Sequence, residues 1–309
     1  MLLGRRALGR ALAGAVVTSG AAARAEDAPL ILGRFTTSYA SDAAHKARAF
    51  NVELAAEAIH GKVIPRGGVF SFNDAVGERT AAFGFAKSVV IRDGMVAEGM
   101  GGGTCQVAST LHAAALLSGL DVARRAPHTR PSAYIRVGLD ATVAYPAIDL
   151  KLKNPFEVPV SVRARAARGV LEVWLVAATV RPAVSLSSEI LEWTPFPRVV
   201  ERDRRLDEHT LRYRAFGIPG YRVRRTREVM APDGAARRDV RIDVYPPVSE
   251  IVEVSPSFDE SRLPWRRATG PGEGLTILDE GVLRPALVQL RPSTLVVLDN
   301  KDVTASAAP

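Results

Sequence analysis

The chain has 309 residues, 47% hydrophobic and 24% charged, the make-up of a globular protein with room for about two domains, which excludes global disorder. Its net charge is +8, and the first 25 residues hold four Arg and no acid, so the remainder carries 37 basic against 33 acidic residues, a net of +4. So mild a balance permits contact with anionic wall polymers or a membrane surface and demands neither, and the sequence has no nucleic-acid module of aromatic platforms or paired Cys/His ligands.

Taken in chain order, the first segment reads as an export signal. Arg5, Arg6 and Arg10 precede the small, uncharged run Ala11–Ala23, and Ala23-Arg24-Ala25 has the small-x-small form of a cleavage site before Glu26. Residues 1–25 are therefore expected to be a signal peptide cut after Ala25, and the mature protein to reside in the periplasm or cell envelope. An uncleaved anchor is the other reading, though the run is short for a bilayer span, and no later stretch is long and apolar enough for one. A lone cysteine, Cys105, excludes an intramolecular disulfide and points to a free reactive thiol or an intermolecular pair. Neither a metal nor an organic cofactor is expected.

Residues 42–60 are predicted as a helix, capped by Ser41 or Asp42, stopped by Gly61, with Phe50, Leu54 and Ala58 as its apolar face. Val69–Asn73 follows as a short strand. Lys87–Arg92 and Met95–Ala97 form a predicted hairpin around Asp93-Gly94. Four glycines in Gly99–Gly103 introduce a helix from Cys105, with Val107, Leu111, Ala115 and Leu116 as its stripe and Gly119 as its stop. Predicted strands are then Leu120–Arg124, Ala133–Val137, Ala141–Tyr145, Ile148–Leu152, Val158–Val162 and Val170–Ala177. The pattern is α+β, two helices on a mainly antiparallel sheet, over residues 26–180.

Residues 181–255 read as a small β-rich module, with a turn at Gly217-Ile218-Pro219-Gly220 and alternating runs on either side of Asp233-Gly234. The run Arg222–Arg227 is expected to be a solvated strand face, with docking of anionic wall polymers as the sharper alternative. Residues 256–309 read as a linker around Gly270-Pro271-Gly272, a short strand pair and a polar tail.

Residues 46–175 resemble the VanW domain. The resemblance rests on RAFNVELAAEAIHGKVI, GGVFSFNDAVGERTAAFGFAKSVVI, the GGGTCQ box with its following helix, His128, the DATV element at Asp140 and IDLKLKNPFEVPV. His112 stands where Tyr is typical of the family, and Thr129 where Ser usually follows the His. The second module weakly resembles a small all-β surface domain often found beside VanW domains, through Gly217 and Gly220, the Arg-rich strand and Tyr245-Pro246-Pro247. The resemblance implies a cell-wall setting. VanW domains accompany glycopeptide-resistance clusters and peptidoglycan-modifying modules, and some are implicated as cysteine-dependent L,D-transpeptidases.

The residues themselves point to acyl chemistry. Cys105 sits where a glycine turn meets a helix N-terminus, whose unpaired N–H groups and partial positive charge favour thiolate. The plainer reading is a buried, inert Cys under a glycine turn. His128, in a loop between Pro127 and Thr129, is the candidate base, or else a solvated loop histidine. His112 lies seven residues along the helix from Cys105, about 10 Å on the axis, too far to reach the thiol. Asp140 is the candidate orienter of the imidazole, or else a turn residue after Gly138. Gly103, Thr104, Gln106 and Ser109 are candidates for oxyanion or substrate binding, the last two equally for helix-surface hydrogen bonds. Phe70, Phe72 and Asn73 are candidates for the cleft wall, the two Phe fitting the core better. With the cell-wall setting that the resemblance implies, the expected function is acyl transfer or amide hydrolysis on peptidoglycan stem peptides, which differ only in the acceptor. The alternative is a non-catalytic wall-binding or adaptor protein. No oligomeric state is read from the sequence.

Overall fold

The structure, a computed structural model, describes residues 29–92, 95–179, 182–231 and 233–263 and three short strands at 275–277, 283–285 and 296–299. The expected signal peptide with its cut after Ala25, the Asp93-Gly94 turn, Gly270-Pro271-Gly272 and the last ten residues lie outside the described residues.

The fold is α+β. Its first sheet has the order β1 (Leu30–Ser38), β9 (Val170–Ala177), β8 (Val160–Ala167), β2 (Val63–Ile64), with every pairing antiparallel. Alternate residues of β8 and β9 face inward, among them Val160, Val162, Leu171, Val173 and Leu175, the two-residue period of a half-buried strand. Helices α1 (Lys46–Ile59) and α3 (Thr104–Leu117) cover that face. Together they form one core with Val52, Ile59, Val107 and Leu111 at its centre. Truncating a fully buried core leucine such as Leu171 to Ala is expected to cost about 2–5 kcal/mol.

The first helix differs from its prediction in start and in face. Asp42 caps a 3-10 turn, Ala43–His45, and the α-helix begins only at Lys46. Phe50 is half exposed, while Ala49, Val52, Ala56 and Ile59 are buried. Four-residue spacing marks more than one face of this helix, and the side bearing small residues is the one that packs closely on sheet and neighbouring helix. Strand β3 (Val69–Ser71) also ends earlier than expected. Ser71 accepts from the Asp74 N–H and opens α2 (Phe72–Val76), while Asp149 holds the Ser71 hydroxyl and the Asn73 N–H. Phe70 and Phe72 are buried in the core, and Asn73 donates to the Ile148 carbonyl.

Strands β4 (Lys87–Arg92) and β5 (Met95–Met100) pair as a hairpin. Strands β6 (Asp121–Arg124) and β7 (Lys151–Lys153) join β3 in a small sheet of order β3-β7-β6. Residues 133–137 and 141–145, predicted as strands, form turns and isolated bridges instead, Ala126 with Thr142 and Ala144 with Ile148. The backbone groups of Ala141 and Val143 bond to side chains of α3, as described below.

Among the described residues beyond 182, strands predominate, with one 3-10 turn at Glu260–Arg262. Strands β10 (Ala183–Thr194), β13 (Gly220–Met230) and β14 (Ala236–Tyr245) pair antiparallel, and β11 (Arg198–Arg202), β12 (Leu211–Ala215) and β15 (Glu250–Val254) form a separate sheet of order β11-β15-β12. The β10-β13-β14 sheet lies against the first domain. Leu186 packs with Ala113, Leu116, Leu117 and Leu139, and Tyr221, Val223 and Tyr245 pack around Val137. The Arg-rich run is not a uniformly solvated face. Arg222 and Arg224 point outward, but Arg225 and Arg227 are 2% and 4% exposed, turned inward with Val223 and Val229. Arg227 donates to the Leu120 carbonyl, and Arg225 reaches His112 and the Gly138 carbonyl.

Candidate active site at the start of helix α3

The glycine box makes a tight entry into α3. Gly101 and Gly103 have φ of +73° and +108°, backbone that side chains rarely adopt. Gly102 is required by close approach instead: a Cβ there would lie 2.2 Å from the Val89 carbonyl oxygen and 2.3 Å from Ser88 Oγ. Asn51 of α1 clamps the same turn, donating to the Gly102 and Ala86 carbonyls and accepting from the Ala86 N–H. The turn is therefore held from α1 and from the β4–β5 hairpin, and delivers Cys105 into the first turn of a buried helix.

One face of α3 bonds to the extended segment that follows Gly138. His112 donates from Nδ1 to the Leu139 carbonyl at 2.7 Å. Ser109 Oγ accepts from Ala141 N–H at 2.9 Å and donates to the Ala141 carbonyl at 3.2 Å. Cys105 Sγ lies 3.5 Å from both the N–H and the carbonyl of Val143, the N–H donating to sulfur. Helix positions 105, 109 and 112 thus meet backbone positions 143, 141 and 139, because three to four helical residues rise about as far as two extended ones. Ser109 and His112 are fully buried in this ladder, and neither faces solvent.

Asp140 projects from that segment into a buried hub. Its Oδ2 accepts from His128 Nδ1 at 2.7 Å and from the His128 backbone N–H at 2.7 Å. Its Oδ1 accepts from Arg125 Nη2 at 2.8 Å and from the Tyr245 hydroxyl. Arg125 also donates to the Asp140 carbonyl and to Asp243. Burial opposes the Asp140 charge, but these donors outweigh it and hold its carboxyl well below the usual carboxylate range. With Nδ1 committed to Asp140, His128 turns Nε2 toward Tyr134, whose hydroxyl is 3.4 Å away, and its ring interacts electrostatically with the Cys105 thiol.

Charges at the pair reinforce one another. Burial pushes the Cys105 thiol up, but His128, the Val143 N–H and the Arg79 guanidinium bring it below an ordinary cysteine. Burial pushes His128 down, and Tyr134, Asp140 and Cys105 together raise it well above a free histidine. The arrangement favours a thiolate beside an imidazolium. His112 goes the other way: burial first, then Arg125 and Arg225, press it well below its ordinary value, so it stays neutral.

The structure brings Cys105, His128 and Asp140 together. Gln106 and Thr104 are placed differently from the expectation that they serve an oxyanion. The Gln106 amide is spent on Thr37, the Ser38 carbonyl and Arg48, and the residue is buried. The backbone N–H groups of Thr104 and Gln106 are bonded to Gly101 and Gly103 carbonyls, leaving Gly103 to support the helix start. Among the described residues, the Cys105 N–H between them makes no backbone hydrogen bond, so it is the donor at hand for an oxyanion.

Five residues of the site were not named as site candidates from the sequence: Arg79, Arg125, Tyr134, Asp243 and Tyr245, the last noted only for the resemblance of the second module. Tyr245 and Asp243 reach Asp140 and Arg125 from more than 100 residues away, so no local pattern announces them. Arg225 and Arg227 carried a usable signal, alternating with Tyr221, Val223 and Val229 on the inward side of their strand. Among the described residues no group of three or more His, Cys, Asp or Glu is placed to hold a metal ion, and no helix is long and apolar enough to cross a membrane.

Residues 47–176 match the family model described as VanW like protein. The chain is 37% identical over 149 residues to "Uncharacterized protein YoaR" of Bacillus subtilis (strain 168), covering 48% of each chain. It is 30% identical over 112 residues to "Vancomycin B-type resistance protein VanW" of Enterococcus faecalis (strain ATCC 700802 / V583), covering 35% of this chain and 41% of that protein. The chain thus spans under half the length of these curated relatives. Among solved structures, the "IgA1 Protease G5 domain structure" aligns with 24% of this chain and 92% of its own, at 21% identity and a TM-score of 0.17.

Proposed function

From a chain whose residues 47–176 form a domain of the VanW-like family, we propose a cysteine-dependent acyl transferase or amidase that acts in the cell envelope on peptidoglycan stem peptides. The observation that carries the reading is the set Cys105, His128 and Asp140, with His128 held by Asp140 at 2.7 Å and its charge acting on the Cys105 thiol. The name of one relative, a vancomycin resistance protein, supports the wall setting. The single Cys and the first 25 residues, read as a signal peptide, support export.

In the proposed reaction the Cys105 thiolate attacks a peptide carbonyl carbon and a C–S bond forms. The oxyanion gathers at the Cys105 N–H. The His128 imidazolium gives its proton to the departing amine as the C–N bond breaks, leaving a thioester and neutral His128. A second amine, or water, then attacks the thioester; His128 takes its proton, and the thiolate leaves. Asp140 keeps the imidazole in the tautomer that presents Nε2 to sulfur throughout.

The test is incubation of purified mature protein with muropeptides, reading release of amine and formation of crosslinked or shortened products by mass spectrometry. Turnover by the parent and none by folded Cys105→Ala is the expected result. An equally active Cys105→Ala variant refutes the reading. Saturable peptidoglycan binding with no turnover by either protein replaces it with the wall-binding alternative.

A further inference from the structure

Arg79 occupies an unusual place beside the thiol. Its stem lies against the glycine box, where a Cβ on Gly101 would come 2.6 Å from Arg79 Cβ and 2.7 Å from its Cγ. Its guanidinium lies 5.5 Å from the centroid of the Phe72 ring. Nη1 donates to the Gly77 carbonyl at 2.6 Å, which pins the group in orientation. Nε and Nη2 are buried and have no partner among the described residues.

Those two nitrogens share one edge of the guanidinium. Their N–H bonds run parallel, the fork that meets both oxygens of a carboxylate. Buried donors left unpaired are unfavourable, and a structural arginine would be expected to spend them. Asp149, a nearby acid, does not pair with Arg79, because it holds the Ser71 hydroxyl and the Asn73 N–H instead. Burial lowers the Arg79 pKa, while Cys105, Asp149 and Tyr145 act to retain its charge, which places the guanidinium in the electrostatic field of the thiol.

We propose that Arg79 is a specificity-determining residue whose Nε–Nη2 edge receives a free carboxylate of the acyl donor beside Cys105. The pinned Nη1 presents the fork without further ordering, so the entropy of fixing a long side chain is met in advance. The edge is shut off from water in this structure, so a carboxylate reaches it only when the side chains covering it move aside, and once there it meets little competition from solvent. The proposal rests on Cys105 as the reactive centre and narrows its substrates to peptides carrying a carboxylate near the attacked carbonyl.

The test uses two alkylating probes on the purified full chain, iodoacetate and its neutral counterpart iodoacetamide. Each forms an S–C bond at Cys105 and releases iodide, and they differ in the carboxylate. Arg79→Gln is expected to lower the iodoacetate-to-iodoacetamide rate ratio about tenfold or more. Any loss of thiolate in the variant slows both probes alike and cancels in the ratio. Arg79→Lys, which keeps the charge without the fork, is expected to fall between. An unchanged ratio in Arg79→Gln overturns the proposal, as does an equal fall in both rates. The ratio needs no turnover, so it stands or falls separately from the acyl-transfer reading. Where turnover is found, a donor ending in a free carboxylate is expected to outperform its C-terminal amide with the parent protein and to lose that advantage with Arg79→Gln; equal use of both by the parent overturns the proposal.

Discussion

Tyr245 donates its hydroxyl to Oδ1 of Asp140, joining the last residue of β14 to the candidate orienter of the imidazole across 105 positions of chain. The same hydroxyl oxygen accepts from the Gly138 N–H at 2.7 Å. One phenol therefore fixes both the acid and the turn before it, and residues 220–245 are part of the site's support.

Tyr245→Phe removes one donor from a buried carboxylate and leaves the Gly138 N–H unpaired. A loss of about 1–3 kcal/mol in urea unfolding is expected. With Asp140 less well held, the Cys105 thiol should titrate upward relative to the parent. Asp243→Asn should weaken the site less directly, through Arg125, which is itself fully buried between the two acids. A Tyr245→Phe protein with unchanged stability and thiol titration would separate the second module from the chemistry.

His112 makes folding depend on pH with a definite sign. Its folded pKa lies well below that of a free histidine, through burial first and then the neighbouring Arg125 and Arg225. Below about pH 6.5 the unfolded chain binds a proton that the folded chain refuses, so this contribution to stability falls as pH falls. The slope reaches about 1.4 kcal/mol per pH unit for one such group. Urea titrations of the parent at pH 7.5 and 5.5, beside His112→Gln, should show the smaller pH difference in the variant. Equal differences would mean that His112 is not held neutral.

The glycine box separates close approach from backbone strain. Gly102→Ala places a methyl 2.2 Å from the Val89 carbonyl oxygen and 2.3 Å from Ser88 Oγ. Gly234→Ala meets nothing within 4 Å, although its φ is +86°. The Gly234 change should cost about 1–2 kcal/mol for the left-handed backbone. Gly102→Ala should cost more and slow Cys105 alkylation as well, because it pushes the start of α3 away from the hairpin. Thermal unfolding of the two variants side by side checks the order, and a Gly102→Ala protein more stable than Gly234→Ala would reverse it.

Much of the fold was legible because local rules and packing agree. Strand β9 occupies the predicted Val170–Ala177, and α3 follows its stripe of Val107, Leu111, Ala115 and Leu116. Where they disagree, packing decides. Helical spacing lines up Phe50, Leu54 and Ala58, but only Leu54 and Ala58 pack against the core while Phe50 is half exposed, and contact with the sheet makes that choice. Ala141–Tyr145 alternates like a strand, yet its backbone is taken up by Ser109 and Cys105 and needs no long ladder. At the site, the glycine-cysteine box and His128 stand out by residue type. Tyr245, Asp243 and Arg125 do not, since their meaning comes from a contact between modules that neither segment shows alone.

The most direct test of the central claim is the rate of Cys105 alkylation by iodoacetamide against pH, in the purified parent protein and in His128→Ala. A thiolate present well below the ordinary cysteine range of about 8.5, and a titration that moves upward when His128 is removed, are the expected results. An ordinary titration, unchanged in the variant, would contradict an activated Cys105–His128 pair and with it the proposed acyl chemistry.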